Sequence, residues 1–130
     1  GVAGVSTADV VLLSSQTADG DSSISFTSGI DSTYGEYIFK FYNLNPGNNN
    51  VKFTFQVNAS GESGYNETMT TTYFQADHSE ADGNEYLAYF AGEDQAQGTA
   101  YQHISLGVGS GADESLAGEF HLLIRLARHM

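Results

Sequence analysis

Apolar and polar residues alternate along the middle of the chain. In residues 51–57 the odd-numbered positions are apolar and the even-numbered positions are polar. A period of two places alternate side chains on opposite faces of an extended chain, so this segment predicts a half-buried strand. A second alternating segment, rich in aromatic residues, spans residues 37–42, and the Asn, Pro and Gly residues at 45–50 supply a turn between the two. The simplest prediction is a hairpin of two antiparallel strands.

The same alternation recurs in short segments separated by loops rich in Gly, Ser, Asp and Asn. The further predicted strands are residues 10–16, 23–27, 69–74, 86–90, 101–106 and 118–122. Apolar residues never recur over a long stretch at the three- and four-residue spacing of an amphipathic helix. The pattern therefore predicts an all-β fold with about eight strands and little helix, arranged as an antiparallel β-sandwich or a jelly roll.

The two ends differ in composition from the middle. Residues 1–9 are small and weakly patterned, which predicts a flexible arm or a strand that pairs only with a partner chain. Residues 10–122 form the predicted β-sandwich domain. Residues 123–130 form an atypical basic tail that contains both arginines of the chain. Two interpretations of this end stay open: residues 122–124 extend the last strand, or residues 123–130 come from a shifted reading frame.

Over most of residues 12–122 the chain resembles a family of uncharacterised structural proteins from marine bacteriophages. The segments that carry the resemblance are residues 24–34, 36–41, 53–55, 70–74, 76–78 and 115–121. The resemblance implies a place in the tail or on another surface of the virion, and it brings no catalytic motif. Members of that family continue with further strands beyond the segment that matches residues 119–122. The resemblance therefore also implies strand edges that another copy or another protein covers.

The charge of the chain excludes several classes of partner. Sixteen acidic and four basic residues give a formal net charge of -12. Nucleic-acid binding needs clustered Lys and Arg to neutralise phosphates, so we expect no nucleic-acid partner. The longest wholly apolar run, residues 10–13, is far shorter than the roughly 20 residues of a membrane-spanning helix, so we expect no membrane insertion. Without cysteine, the fold has no disulfide and depends on its sheets and core.

An acidic loop offers the only concentrated metal-ligand chemistry in the sequence. Four carboxylates fall within residues 77–85, and their oxygen-rich chemistry suits calcium. The candidate calcium ligands are Asp77, Glu80, Asp82 and Glu85. Their spacing does not match the EF-hand pattern, so a solvated turn between strands is the preferred interpretation. No other cofactor is expected.

Aromatic residues supply a second candidate site, because a ring can stack on the apolar plate of a sugar. The tyrosines near predicted strand ends are the candidate glycan-binding residues: Tyr42, Tyr65, Tyr86 and Tyr101. A half-exposed packing role is the alternative for each of them. The phenylalanines of the alternating strands are predicted to point into the core: Phe39, Phe41, Phe53 and Phe55.

Asn58 and Asn66 match the acceptor pattern for N-linked glycosylation. Both follow the strongest predicted strand, in a segment that we expect to form a surface loop. In a bacterial or phage setting they are ordinary loop asparagines.

These patterns favour assembly or binding over catalysis. The histidines are too scattered for a metal triad, and no serine lies in a nucleophile-elbow context, so we do not expect an enzyme. The first hypothesis is a phage virion structural protein, a tail- or capsid-surface module that assembles with itself or with other virion proteins and attaches to cell-surface polysaccharide. The alternatives are a carbohydrate-binding module, or a subunit of an extracellular filament built by strand addition. All three predict a virion or extracellular location.

Overall fold

The computed structural model describes residues 10–124, and the regular secondary structure in this range is almost entirely β-strand. The strands are β1 (Glu36–Leu44), β2 (Val51–Phe55), β3 (Met69–Thr70), β4 (Phe74–His78), β5 (Glu85–Tyr89), β6 (Ala96–Gly98), β7 (Gln102–Val108) and β8 (Leu116–Leu123). One short 3-10 helix, Ala91–Glu93, lies between β5 and β6. The predicted all-β fold, with its eight strands and little helix, is confirmed.

The strands pair two by two. β1 pairs with β8, β2 with β7, β3 with β6 and β4 with β5, and the last three pairs are antiparallel. The predicted hairpin of β1 and β2 is wrong, because each of these strands takes its partner from near the end of the chain. Asn45 explains the difference: its side-chain amide donates to the carbonyl oxygens of Gly111 and Glu114, at 2.7 and 2.6 Å. The connection after β1 is thus tied to the loop before β8. The stacking of two sheets into a sandwich stays a prediction.

The described residues divide into two compact units, and residues 10–42 and 117–124 belong to the first. In its described part, Tyr37 is buried, and its hydroxyl donates to the Asp31 carbonyl oxygen at 2.9 Å. The Phe39 ring contacts Phe26 and Phe120, with ring centroids 5.5 and 5.7 Å away. Phe39 therefore points inward, as predicted, and forms a small aromatic core with Phe26 and Phe120.

The second unit, Asn43–Leu116, contains β2 to β7. Its buried residues are Tyr73 and Gln102, at 9% and 5% exposed. The Tyr73 ring packs edge-on against Phe90, with centroids 6.2 Å apart. Phe53 and Phe55, predicted to point inward, are half-buried on β2. Few side chains in the described residues are fully buried, so much of the apolar surface stays in contact with solvent.

Three predicted strands differ from the structure. Residues 10–16 and 23–27 pair with no strand of the described part of the chain; the Ser25 carbonyl oxygen instead accepts a hydrogen bond from the Gln16 side chain at 2.8 Å. The predicted strand at 69–74 is two strands, because the Tyr73 backbone N–H donates to the Asp94 carboxylate at 2.7 Å. β6 was not predicted, since its sequence Ala-Gln-Gly has no alternation.

The last strand extends to Leu123, and the Ile124 backbone N–H donates to the Gly35 carbonyl oxygen at 2.9 Å. Leu122 and Leu123 thus belong to the last strand, and Ile124 follows it directly; the origin of residues 123–130 stays open. The predicted arm at 1–9 and residues 125–130 of the predicted tail lie outside the described residues. Between residues 10 and 124 no helix is long and apolar enough to cross a membrane.

Candidate functional site

An open cleft of about 500 Å³ lies in the second unit. Its lining residues come from two strand pairs and their flanking loops: Asn50, Lys52, Gln75, Asp77, Tyr86, Phe90, Leu106 and Gly107. In the β4–β5 ladder Asp77 is opposite Tyr86 and Gln75 is opposite Ala88. Strand alternation therefore places Gln75, Asp77 and Tyr86 on one face, which is the face that lines the cleft.

One wall of the cleft is aromatic. The rings of Tyr86 and Phe90 have centroids 6.1 Å apart, and Phe90 is supported by the buried ring of Tyr73. Partial removal from water raises the pKa of the Tyr86 phenol, and a hydrogen bond to the Asp77 carboxylate raises the pKa further. The phenol thus stays protonated at neutral pH and donates a hydrogen bond to the Asp77 carboxylate.

On the β2–β7 side of the cleft, Lys52 belongs to a compensated set of charges. The Lys52 ammonium lies 3.2 Å from the Glu93 carboxylate, and the His103 imidazole contacts the same carboxylate. The hydrogen bond from Lys52 is the largest cause that lowers the pKa of Glu93, and the contact with His103 lowers the pKa further. Glu93 therefore remains ionised and offsets the charge of Lys52. Lys52 therefore brings little net positive charge to the cleft.

A bulge at the mouth of the cleft positions Asn50. The register between β2 and β7 shifts between Val51 and Phe53. Gly107 has a φ of 65°, a left-handed conformation that favours glycine, and a Cβ built there would lie 3.2 Å from the Asn50 Oδ1 atom. The glycine therefore lets the Asn50 amide approach the β7 backbone.

The predicted glycan-binding tyrosines lie in different places. Tyr86 lines the cleft. Tyr42 is on β1 and is 70% exposed, Tyr101 directly precedes β7 and is 50% exposed, and Tyr65 is half-buried in the loop after β2. Of the four, the structure brings only Tyr86 next to the polar groups that a sugar site requires.

The acidic loop brings together a different set of ligands from the predicted one. The ligand atoms of His78, Asp82 and Glu85 lie within 4.8 Å of one another. Asp77 is on the opposite face of β4, where it bonds Tyr86, and Glu80 is an exposed loop residue outside this group. Calcium prefers a cage of oxygen ligands, whereas an imidazole suits transition metals better. All three side chains are exposed, which fits the solvated turn that we preferred.

The geometry of that loop has a local cause that needs no ion. The Ser79 hydroxyl accepts hydrogen bonds from the backbone N–H groups of Gly83 and Asn84, both at 3.0 Å. The Ser79 N–H donates to the Asn84 carbonyl oxygen at 2.9 Å. These bonds close the turn between β4 and β5 and bring the ends of the two strands together.

The two acceptor asparagines lie in the predicted surface loop. The Asn58 side-chain nitrogen donates to the Glu62 carbonyl oxygen at 2.5 Å, and its oxygen accepts from the Tyr65 N–H at 3.2 Å. Asn58 therefore stabilises the loop through the same nitrogen that would carry a glycan. Asn66 is exposed.

Sequence patterning missed the cluster of Lys52, Glu93 and His103. The lysine and the glutamate are 41 positions apart, and the glutamate and the histidine 10 positions apart. The available signal was weak: Lys52 is one of two lysines in the chain and lies on the polar face of the strongest predicted strand. No protein-family model, curated protein or solved structure matches the chain.

Proposed function

We propose that the protein is a structural module of a bacteriophage virion surface that works by assembling with further copies of itself. The resemblance to phage structural proteins supports the virion setting. The observation that carries the assembly is an apolar face on the β4–β5 pair that residues 10–124 leave exposed. This apolar face consists of Phe74, Ala76, Leu87 and Tyr89, on the side of the ladder opposite the cleft.

The apolar face is contiguous and well exposed. Phe74 is opposite Tyr89 and Ala76 is opposite Leu87, and the rings of Phe74 and Tyr89 have centroids 5.2 Å apart. Phe74 is 65% exposed, Leu87 77% and Tyr89 53%. Single exposed apolar residues are ordinary, but a contiguous group of large ones marks an interaction surface. Burial of these side chains in an interface would stabilise it by the hydrophobic effect.

The same chain carries a complementary segment. Residues 10–13 are apolar, and the exposed fractions of Val10 and Leu12 are 76% and 82%. These residues pair with no strand of the described part of the chain. An extended apolar segment satisfies its backbone groups by adding to the edge of a sheet, and the β4–β5 pair has only two strands. When residues 10–13 of one copy add to this edge, alternate side chains of the segment extend the apolar face of the next copy.

Such a contact joins two different surfaces. A contact of this type is repeated from copy to copy and forms a ring or an open filament. The exposed segment at 10–13 thus also supports the alternative of an extracellular filament built by strand addition. Light scattering distinguishes a ring from a filament, because a ring gives one defined mass and a filament gives a mass that grows with concentration.

The experiment that tests the assembly is sedimentation of matched leucine variants. Leu87 lies on the apolar face, whereas Leu123 is similarly exposed, at 74%, on β8 in the other unit. We expect L87S to weaken self-association at least about tenfold, and L123S to leave it unchanged. A wild-type chain that remains monomeric at high concentration, or equal effects of both variants, contradicts the proposal.

A second candidate function is attachment to carbohydrate. It is favoured by the cleft, which combines an aromatic wall with amide and carboxylate groups on the side of the β4–β5 pair that the apolar face leaves free. Assembly and attachment would therefore use opposite sides of one strand pair.

A further inference from the structure

From the cleft we infer a binding site for a neutral sugar, a hexopyranose unit of a polysaccharide. This inference rests on the proposed function, because it names the class of sugar to which the virion-surface module would attach. Its physical basis is independent of assembly, because the β4–β5 residues that line the cleft, Gln75, Asp77 and Tyr86, are on the opposite face of that pair from Leu87.

The aromatic wall provides the surface on which a sugar ring stacks. Tyr86 is 42% exposed, so part of its ring is open to solvent, and its hydroxyl is bonded to Asp77. Phe90 is half-buried beside it and rests on Tyr73. A rigid aromatic ring loses little conformational entropy when a ligand covers it. The C–H face of a pyranose is the ligand surface that matches such a wall.

The polar groups of the cleft match the hydroxyl groups of a sugar. Gln75 and Asn50 offer amides that both donate and accept, and Asp77 offers carboxylate oxygens that accept. A sugar hydroxyl donates one hydrogen bond and accepts others, so vicinal hydroxyl groups need this mixture of partners. A cleft of about 500 Å³ lies within the roughly 300–1,000 Å³ range of small-ligand sites.

Charge selects a neutral sugar over an acidic one. Lys52 is the only basic residue among those that line the cleft, and it is paired with Glu93. Asp77 adds a negative charge that no ion pair among residues 10–124 offsets, and the whole chain carries a net charge of -12. A uronic acid or a sialic acid would meet repulsion with no free cation to offset it. A neutral ring avoids this cost.

The test uses the full chain labelled with nitrogen-15 and a defined panel of probes. The panel contains glucose, galactose and mannose with their short oligosaccharides, and the polyanions alginate and polysialic acid. We expect at least one neutral sugar to shift the backbone amide signals of Gln75, Tyr86 and Phe90 in a saturable way below about 10 mM. The amide signal of Tyr101, outside the cleft, should not move.

Matched tyrosine variants locate the binding. Y86A should weaken binding of that sugar at least about tenfold, whereas Y101A, at a comparably exposed tyrosine outside the cleft, should not change it. Y86F keeps the aromatic ring and should therefore lose less affinity for the sugar than Y86A. A circular dichroism spectrum checks that each variant is folded, and Q75A serves as a second cleft variant if Y86A is not.

Several results would overturn the inference. These are the absence of saturable shifts with every neutral probe, shifts outside the cleft, stronger binding of the polyanions, or equal affinity in wild type and Y86A. The same samples are sedimented without sugar. Loss of binding with intact assembly then rejects only the sugar site, and monomeric protein that still binds sugar rejects only the assembly.

Discussion

Gln102 is a buried amide that joins three segments of the second unit. Its Oε1 atom accepts a hydrogen bond from the Thr71 hydroxyl at 2.5 Å, and its side-chain nitrogen donates to the Glu93 carbonyl oxygen at 3.1 Å. The Thr71 hydroxyl also accepts from the Gln95 backbone N–H at 2.9 Å. A buried polar group that loses its partner keeps the cost of desolvation, which is about 1–3 kcal/mol. This small network therefore contributes to the stability of this unit.

We expect T71V to lower the free energy of unfolding by about 1–3 kcal/mol, because it leaves the Gln102 oxygen and the Gln95 N–H without this partner. The matched control is T72V at the next residue, which is exposed and should change stability by less than about 0.5 kcal/mol. Urea unfolding monitored by tyrosine fluorescence measures both. Equal effects of the two variants would show that the Thr71 hydroxyl has no special role.

His121 connects both strands of the first unit and makes their pairing depend on pH. Its Nδ1 atom lies 2.8 Å from Glu36, and its Nε2 atom lies 3.1 Å from Glu119, which also binds Lys40. The hydrogen bond to Glu36 is the largest cause that raises the pKa of His121 above its ordinary value of 6.5, and the bond to Glu119 is the next. The folded protein thus binds the proton more tightly than the unfolded chain.

Because this pKa is raised on folding, the stabilisation by His121 is fully present below about pH 6.5 and is lost as the pH rises through the folded-state pKa. We expect the difference in unfolding free energy between wild type and H121Q to be largest at acid pH and to disappear at alkaline pH. If this difference in unfolding free energy instead increases with pH, the prediction is wrong. By NMR titration, E36Q should lower the pKa of His121, and the control E62Q, at an exposed loop glutamate, should not.

Sequence patterning predicts single side chains well where burial alone decides their direction. Phe39 and Phe53 lie on the sides of their strands that the alternation indicated, and Tyr42 is exposed as its position near a strand end suggested. The patterning fails where a polar partner is distant along the chain. Thr71 and Gln102 are 31 positions apart, and nothing in either local segment indicates that they meet.

Among the strands, the pairing of β1 with β8 depends on one close approach. A Cβ atom at Gly118 of β8 would lie 2.8 Å from the Phe41 Cζ atom of β1, which is closer than carbon atoms pack. Gly118 therefore gives space to the Phe41 ring. Added volume in a packed site costs about 1–3 kcal/mol, because neighbouring side chains must move.

We expect G118A to lower the free energy of unfolding by about 1–3 kcal/mol. The control is G35A, directly before β1, where a methyl group would meet open space and should change stability by less than about 0.5 kcal/mol. Addition of F41L should recover part of the loss, because a smaller side chain leaves room for the methyl group. Urea unfolding of the single and double variants measures the recovery. Additive losses would show that Gly118 and Phe41 do not interact.

The pairing of strands was harder to predict than their positions. Alternation located β1, β2, β5, β7 and β8 within a few residues. The partner of each strand depends on contacts between distant segments, and the turn residues at 45–50 show only that the chain changes direction there. The hydrogen bonds from Asn45 to Gly111 and Glu114 hold this turn against the loop before β8, so that β1 and β2 do not form a hairpin. A loop asparagine in the sequence carries no sign of such distant partners.

For the whole molecule, the net charge opposes the assembly that the apolar face favours. The chain carries 16 acidic and 4 basic residues, so every copy repels every other copy. Salt screens this repulsion over a Debye length of about 10 Å at 0.1 M and about 3 Å at 1 M. Burial of apolar side chains is not weakened by sodium chloride in the same way. The balance between the two effects therefore shifts with ionic strength.

We expect self-association to become tighter as sodium chloride rises from about 0.05 M to about 0.5 M. Sedimentation equilibrium measures the association constant at each salt concentration. L87S is the control, because without the apolar contact at Leu87 screening alone should not restore assembly to the wild-type level. Association that weakens with salt would mean that ion pairs, rather than the apolar face, join the copies. If assembly is tighter in salt for wild type and remains weak for L87S, repulsion between copies and attraction at the apolar face are separate properties of this chain.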